Sequence, residues 1–182
     1  MTRFTLLAAV ICLAATACAI KGTTQSETSL EFPPARELRI GVLPFAARND
    51  AVGEAVADEV TVALMAIPNL VFVERTRMLD ILRDHNLDPA GDFWFANVSV
   101  ADAAGVDAFL LGSVSLYESR TEDFSRKSYV AYNARLVDAR SGKVLYLLSA
   151  NGIGPDVPPN IVAQTLATQA VTNLLNPQPA PQ

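Results

Sequence analysis

The chain has 182 residues, with 14 Lys and Arg against 19 Asp and Glu, and it carries a net charge of −5 at pH 7. This acidic balance argues against a nucleic-acid partner, because nucleic acids bind basic faces. The length suits one domain with its own core and is too short for two. After residue 17, no stretch reaches the roughly 18 uninterrupted apolar residues that a membrane-spanning helix needs.

Residues 1–17 have the pattern of a secretory leader. Arg3 supplies the positive start, Phe4 to Ala14 form the apolar segment, and small residues precede Cys18. A cysteine at this position resembles the lipobox of bacterial lipoproteins, which implies that the leader is removed and that Cys18 is lipidated. The alternative is a soluble secreted protein that is cut at the same site and has an incidental cysteine.

Ala19 occupies the position at which an Asp would resemble an inner-membrane retention signal. The expected location is therefore the outer membrane, with the domain facing the periplasm. The other cysteine, Cys12, lies in the leader, so the mature domain has no thiol for a disulfide.

Residues 18–36 predict a lipidated tether. They are polar, show neither a helical nor an alternating period, and end after Pro33-Pro34. A flexible tether of this length has a mean reach of roughly 25 Å. At the other end of the chain, residues 177–182 predict a disordered tail.

The domain is predicted to span residues 37–176 and to begin with an apolar strand. Asn49 or Asp50 caps a helix that Pro68 stops, and Thr76 is the expected N-cap of the second helix. The full series is strand 38–45, helix 50–67, strand 70–74, helix 76–85, helix 99–105, strands 107–118, 128–139 and 144–151, and a helix that ends at residue 176. This order, β-α-β-α-α-β-β-β-α, predicts an α/β (α+β) fold in which helices pack on a mixed sheet.

The chain has few residues suited to catalysis. His85, the single histidine, stands at a polar helix end beside Asp84, which is typical of a solvated helix terminus. Asp80 and Asp84 lie one helical turn apart, but no loop of closely spaced oxygen ligands accompanies them. No phosphate-binding or nucleophile motif occurs. We therefore expect no enzyme activity, no cofactor and no metal site.

Three consecutive aromatic residues, Phe93, Trp94 and Phe95, form the candidate partner contact, because they lie in a loop flanked by Gly and Pro. The alternative is that two of these side chains plug the edge of the core. The charged segment 118–127 is an exposed hairpin end that is also available to a partner.

Four segments of this chain resemble, in the same order, the periplasmic domain of the curli-secretion lipoprotein family (CsgG-type). They are RIGVLPF, FVERTRMLDILRDHNL, GVDAFLLGSVSLYES and ARLVDARSGKVLYLLSA. No single segment is specific to the family, and the resemblance depends on all four segments in series behind a lipobox. It covers the chain from about Leu38 to Leu175. In that family each subunit contributes two long hairpins to a membrane barrel. Here the matching connections are SRTEDFSRK and ANGIGPDVPPN, too short for paired spanning strands of about 9 to 11 residues. We therefore expect no secretion pore from this chain alone.

The resemblance implies a non-enzymatic envelope lipoprotein that supports the assembly, secretion or anchoring of a surface polymer of the curli or holdfast type. Its expected partners are other cell-envelope proteins, a homo-oligomer is left open, and the lipid anchor is the only membrane attachment. The shortened domain also resembles LpoB-type activators of penicillin-binding proteins, which regulate peptidoglycan synthesis. Those proteins use a long Pro-rich tether, whereas the tether predicted here, residues 18–36, is short. This regulatory role is therefore the second hypothesis.

Overall fold

A six-stranded mixed sheet organises the computed structural model, which describes residues 20–29, 32–86 and 98–176. The strands are β1 (Lys21–Thr28), β2 (Leu38–Val42), β3 (Leu70–Val73), β4 (Ala108–Glu122), β5 (Ser125–Asp138) and β6 (Val144–Pro155). Their spatial order is β1-β6-β5-β4-β2-β3, with β2 parallel to β3 and β4 and the other neighbours antiparallel. The predicted mixed sheet is confirmed, and one strand, β1, precedes the predicted series.

The four described helices follow the predicted order: α1 (Asp50–Leu64), α2 (Arg75–Asp84), α3 (Val98–Ala104) and α4 (Pro159–Leu175). Asn49 caps α1, as predicted, by accepting a hydrogen bond from the Ala51 amide at 3.0 Å. The cap of α2 is Glu74 and not Thr76, because the Glu74 carboxylate reaches the Arg77 amide at 3.1 Å while the Thr76 hydroxyl donates to the same carboxylate. These oxygens satisfy donors that the first helical turn leaves unpaired.

The helices cover the two faces of the sheet unequally. On one face, α1 and α4 build a large apolar core with strands from both ends of the sheet, whereas α2 and α3 pack on the opposite face in a smaller core around Phe109. We call β2, β3 and the buried start of β4 (Ala108–Leu111) the covered half, because helices lie on both of its faces. The rest of β4, most of β5, and β6 and β1 form the open half. Its second face is exposed or half-exposed among the described residues.

The main difference from the sequence prediction lies in β1. Residues 21–28, expected to belong to an unstructured tether, pair with β6 along their whole length, from Lys21 opposite Ile153 to Thr28 opposite Tyr146. Phe32 is also buried and stacks on Tyr146, with ring centroids 5.5 Å apart. The prediction of a tether is therefore wrong for these residues.

A glycine takes the place of an apolar residue near the start of β1. A Cβ atom on Gly22 would lie 2.5 Å from Leu166 Cδ2 of α4 and 2.7 Å from the carbonyl oxygen of Asn151. The apolar side chain that covers this part of β1 thus comes from the helix, and the strand contributes only the space for it. A pattern search for alternating apolar residues cannot detect such a strand.

The connections from β4 to β5 and from β6 to α4 are short. A two-residue turn, Asp123-Phe124, joins β4 to β5, and both residues have positive φ angles of 51° and 64°. Three residues, 156–158, separate β6 from α4. Within the described residues, no helix combines the length and the apolar character needed to cross a membrane.

Candidate functional site

The residues predicted to carry function from the sequence, Cys18 and the triplet Phe93, Trp94 and Phe95, lie outside the described residues. Lipidation of Cys18 and partner contact through the triplet therefore stay predictions. In the sequence, only two residues separate Cys18 from the start of β1. Three residue steps span at most about 11 Å.

The polar end of α2 has the character of a solvated helix terminus. His85 is exposed, and its backbone amide donates to the Ile81 carbonyl at 3.1 Å. Asp80 forms an exposed ion pair with Arg83 at 2.7 Å. In the described part of the chain, no group of three or more His, Cys, Asp or Glu side chains is placed to hold a metal ion.

The uncovered face of the open half is a broad polar surface. Along β6 exposed side chains alternate with buried ones, and the exposed apolar side chains of this strand are Val144, Leu147 and Ile153 at 44%, 38% and 40%. The neighbouring positions on the other strands follow from the strand register: Lys21, Thr23, Gln25 and Glu27 on β1, Ser149 and Asn151 on β6, and Tyr129, Ala131, Asn133 and Arg135 on β5. Hydroxyl and amide groups dominate this surface, so it is suited to hydrogen bonding with a partner.

The tip of the β4–β5 hairpin carries a fully exposed aromatic side chain, Phe124. Beside it, hydrogen bonds from Tyr129 and Lys127 lower the pKa of the Glu122 carboxyl, and the Lys127 ammonium lies 3.2 Å from that carboxylate. The Arg120 guanidinium lies over the Tyr129 ring, 5.5 Å from its centroid. The charged segment 118–127 is thus an extension of the two strands, in which Arg120 pairs with Glu118 and Lys127 pairs with Glu122.

The outer edge of β1 is the feature that the sequence analysis missed. β1 is the terminal strand of the sheet, so one side of its backbone has no strand partner among the described residues. The Ser29 amide donates to the Leu145 carbonyl at 2.9 Å. Because the pairing is regular, the backbone amides and carbonyls of the odd-numbered residues of β1 point toward β6. Since backbone groups alternate between the two sides of an antiparallel strand, the amides and carbonyls of Gly22, Thr24, Ser26 and Thr28 point away from the sheet.

The fold is an α+β domain in which helices pack on a mixed six-stranded sheet. At the sequence level, the family model described as "Curli production assembly/transport component CsgG" matches residues 38–156. This match covers more than half of the chain, and the chain belongs to that family. No curated protein matches the chain.

Several solved structures are similar to this chain. The PelC dodecamer from Paraburkholderia phytofirmans is 17% identical, with 85% of this chain and 97% of PelC covered and a TM-score of 0.56. Lipoprotein GNA1162 from Neisseria meningitidis is 19% identical, with 76% of this chain and 99% of GNA1162 covered and a TM-score of 0.58. The LpoB C-terminal domain from Escherichia coli is 14% identical, with 62% and 81% covered and a TM-score of 0.42.

Proposed function

We propose that this protein is a non-enzymatic lipoprotein of the outer membrane that supports the assembly, secretion or anchoring of a surface polymer through protein–protein contacts. Membership in the curli assembly and transport family over residues 38–156 carries the proposal. Two proteins of similar structure add support, because GNA1162 is a lipoprotein and PelC is a dodecamer. Carried over to this chain, they favour a lipid anchor and self-association.

The position of β1 supports a role at the anchoring membrane. If Cys18 carries the lipid, at most about 11 Å of chain separates the anchor from Lys21. The domain is then held directly against its own membrane, because the flexible reach of roughly 25 Å no longer exists once residues 21–28 belong to the sheet. A regulator of a synthase in the opposite membrane would need a longer reach, which favours the polymer role.

Partner contact through Phe93, Trp94 and Phe95 remains part of the proposal. The matched control for Trp94→Ala is Met65→Ala, because the Met65 side chain is 65% exposed just after α1. We expect Trp94→Ala to reduce the yield of co-purified envelope partners several-fold with a melting temperature within about 2 °C of wild type, whereas Met65→Ala changes neither. A large loss of stability in Trp94→Ala would instead assign that residue to the core.

The decisive experiment deletes the gene in its own bacterium and restores either the wild-type chain or Cys18→Ala. Surface polymer and peptidoglycan composition are measured in parallel, together with membrane fractionation. The proposal predicts loss of surface polymer, rescue by the wild-type chain only, and release of Cys18→Ala from the membrane. Intact polymer with altered peptidoglycan cross-linking would contradict the proposal and support the penicillin-binding protein activator.

A further inference from the structure

We propose that two copies of this chain pair through the outer edges of their β1 strands, antiparallel to each other, about a two-fold axis that passes next to Thr24. This pairing joins two six-stranded sheets into one continuous sheet of twelve strands. The inference deepens the self-association included in the proposed function and rests on it.

The β1 edge lacks the features that prevent edge strands from pairing. Natural edges are protected by short length, proline, bulges or charges in the middle of the strand. β1 has eight residues, KGTTQSET, and pairs with β6 without a register shift. Its two charged residues, Lys21 and Glu27, lie near its ends, and the residues between them are small or polar. Such an edge is open to a further strand.

The backbone of β1 fits an antiparallel copy of itself. Outward-pointing groups belong to Gly22, Thr24, Ser26 and Thr28, as the alternation of hydrogen bonds to β6 requires. Centring the two-fold axis on Thr24 pairs Thr24 with Thr24 of the second copy and Gly22 with Ser26. All of these residues present their amides and carbonyls to the new partner, so each forms a complete hydrogen-bonded pair.

The charges of β1 select this register. With Thr24 on the axis, Lys21 lies opposite Glu27 of the second copy, and the symmetry repeats the pair, so the interface contains two opposite-charge pairs. These are non-hydrogen-bonded positions, where Cα atoms of an antiparallel pair approach to about 4.5 Å. The neighbouring antiparallel registers place Lys21 opposite Gln25 or Ser29 and lose both charge pairs.

The helix above β1 is compatible with the pairing. α4 packs on β1, with Leu166 over Gly22, and the proposed axis keeps α4 of both copies on the same face of the joined sheet. From Pro159 to Leu175 this helix has no charged residue, and its exposed face carries Gln, Thr and Asn side chains. The two helices therefore introduce no repulsion between like charges beside the joined strands.

The first test exchanges the charges of β1 in the full-length lipidated chain in detergent micelles, with the dimer dissociation constant measured by sedimentation. Lys21→Glu and Glu27→Lys each replace two attractive pairs by two repulsive ones, and we expect each to weaken the dimer about tenfold. The double variant with both exchanges restores the opposite charges and should return to within about threefold of wild type. No ion pair within the monomer involves either residue in the described structure, so both single variants should fold normally.

The second test introduces Thr24→Cys, which places two thiols at the axis. A hydrogen-bonded antiparallel pair has a Cα separation of about 5.5 Å, within the range of a disulfide. We expect mild oxidation to link Thr24→Cys into a covalent dimer. The control, Ser149→Cys, is exposed on β6, one strand away from the edge, and should stay monomeric on a denaturing gel.

Each outcome decides the inference. A covalent Thr24→Cys dimer together with recovery in the double charge variant would support it. An oligomer that is insensitive to the charge exchanges and forms no link at Thr24→Cys would overturn this interface while leaving the self-association of the proposed function intact. A monomer at all concentrations would overturn both, and a link from Thr24→Cys to a different protein would assign the edge to another partner.

Discussion

The covered and open halves of the sheet differ in how far the two faces of their strands are buried. In the covered half, strands such as β2 are buried on both faces, and their residues form a nearly continuous apolar run. In the open half, β5 and β6 alternate between buried and exposed side chains. Each half ends in a strand whose outer edge has no strand partner among the described residues, but β3 has four residues and β1 has eight. We therefore expect the second face of the sheet to contribute to stability in the covered half, whereas the same face is available to partners in the open half.

The largest expected effect is on the core of the covered half. Phe109 on β4 is completely buried beneath α2 and α3. We expect Phe109→Ala to lower the free energy of unfolding by about 3–5 kcal/mol, because it leaves a cavity that the surroundings fill only in part. Chemical denaturation provides the measurement. The control in the open half, Leu147→Ala, should cost no more than about 0.5 kcal/mol, and similar losses for the two variants would remove the distinction between the halves.

A smaller effect tests whether β1 is part of the sheet in solution. Gly22→Val forces a side chain against Leu166 and the backbone of β6, so we expect a loss of about 1–3 kcal/mol in thermal or denaturant unfolding. Thr23→Val is the matched control, because Thr23 is exposed and lies on the uncovered face. If Gly22→Val unfolds at the same denaturant concentration as wild type, residues 21–28 form the tether that the sequence predicts.

Two buried tyrosines of the large core give the smallest effects. The Tyr132 hydroxyl donates to the Ala163 carbonyl at 3.1 Å, whereas the buried Tyr146 hydroxyl has no hydrogen-bond partner among the described residues. Removing a paired hydroxyl costs about 0.5–1.5 kcal/mol, and removing an unpaired one relieves a desolvation cost. We therefore expect Tyr132→Phe to lower the melting temperature, and Tyr146→Phe to leave it unchanged or raise it. The reverse ranking would show that these hydroxyls have other partners in solution.

The sequence was sufficient to predict most of the fold. Periodicity, Pro68 and the Asn49 cap defined α1, and the alternation of Val130, Tyr132 and Ala134 defined β5, because in both elements the buried face is apolar in the chain itself. β1 could not be found in this way, since its covering side chain, Leu166, lies more than a hundred residues away. The cap of α2 was misplaced for a local reason, as both Glu74 and Thr76 carry oxygens suited to capping.

The candidate site was less predictable than the fold. Cys18 and the aromatic triplet remain predictions, because they lie outside the described residues. The free edge of β1 became apparent only from the strand order, since an edge is a property of how strands are arranged and has no sequence pattern of its own. Once the order is known, the spacing of Lys21 and Glu27 along β1 acquires a meaning that the sequence alone does not indicate.

Residue-resolved amide hydrogen exchange along β1, measured at several protein concentrations, tests the central claim most directly. We predict that the amides of Thr23, Gln25 and Glu27, which face β6, are protected at every concentration. The outward amides of Thr24 and Ser26 should exchange rapidly in dilute protein and become protected as the concentration rises. Rapid exchange at all five positions would contradict the assignment of β1 to the sheet, and concentration-independent exchange at Thr24 and Ser26 would contradict the pairing of two copies through the open half.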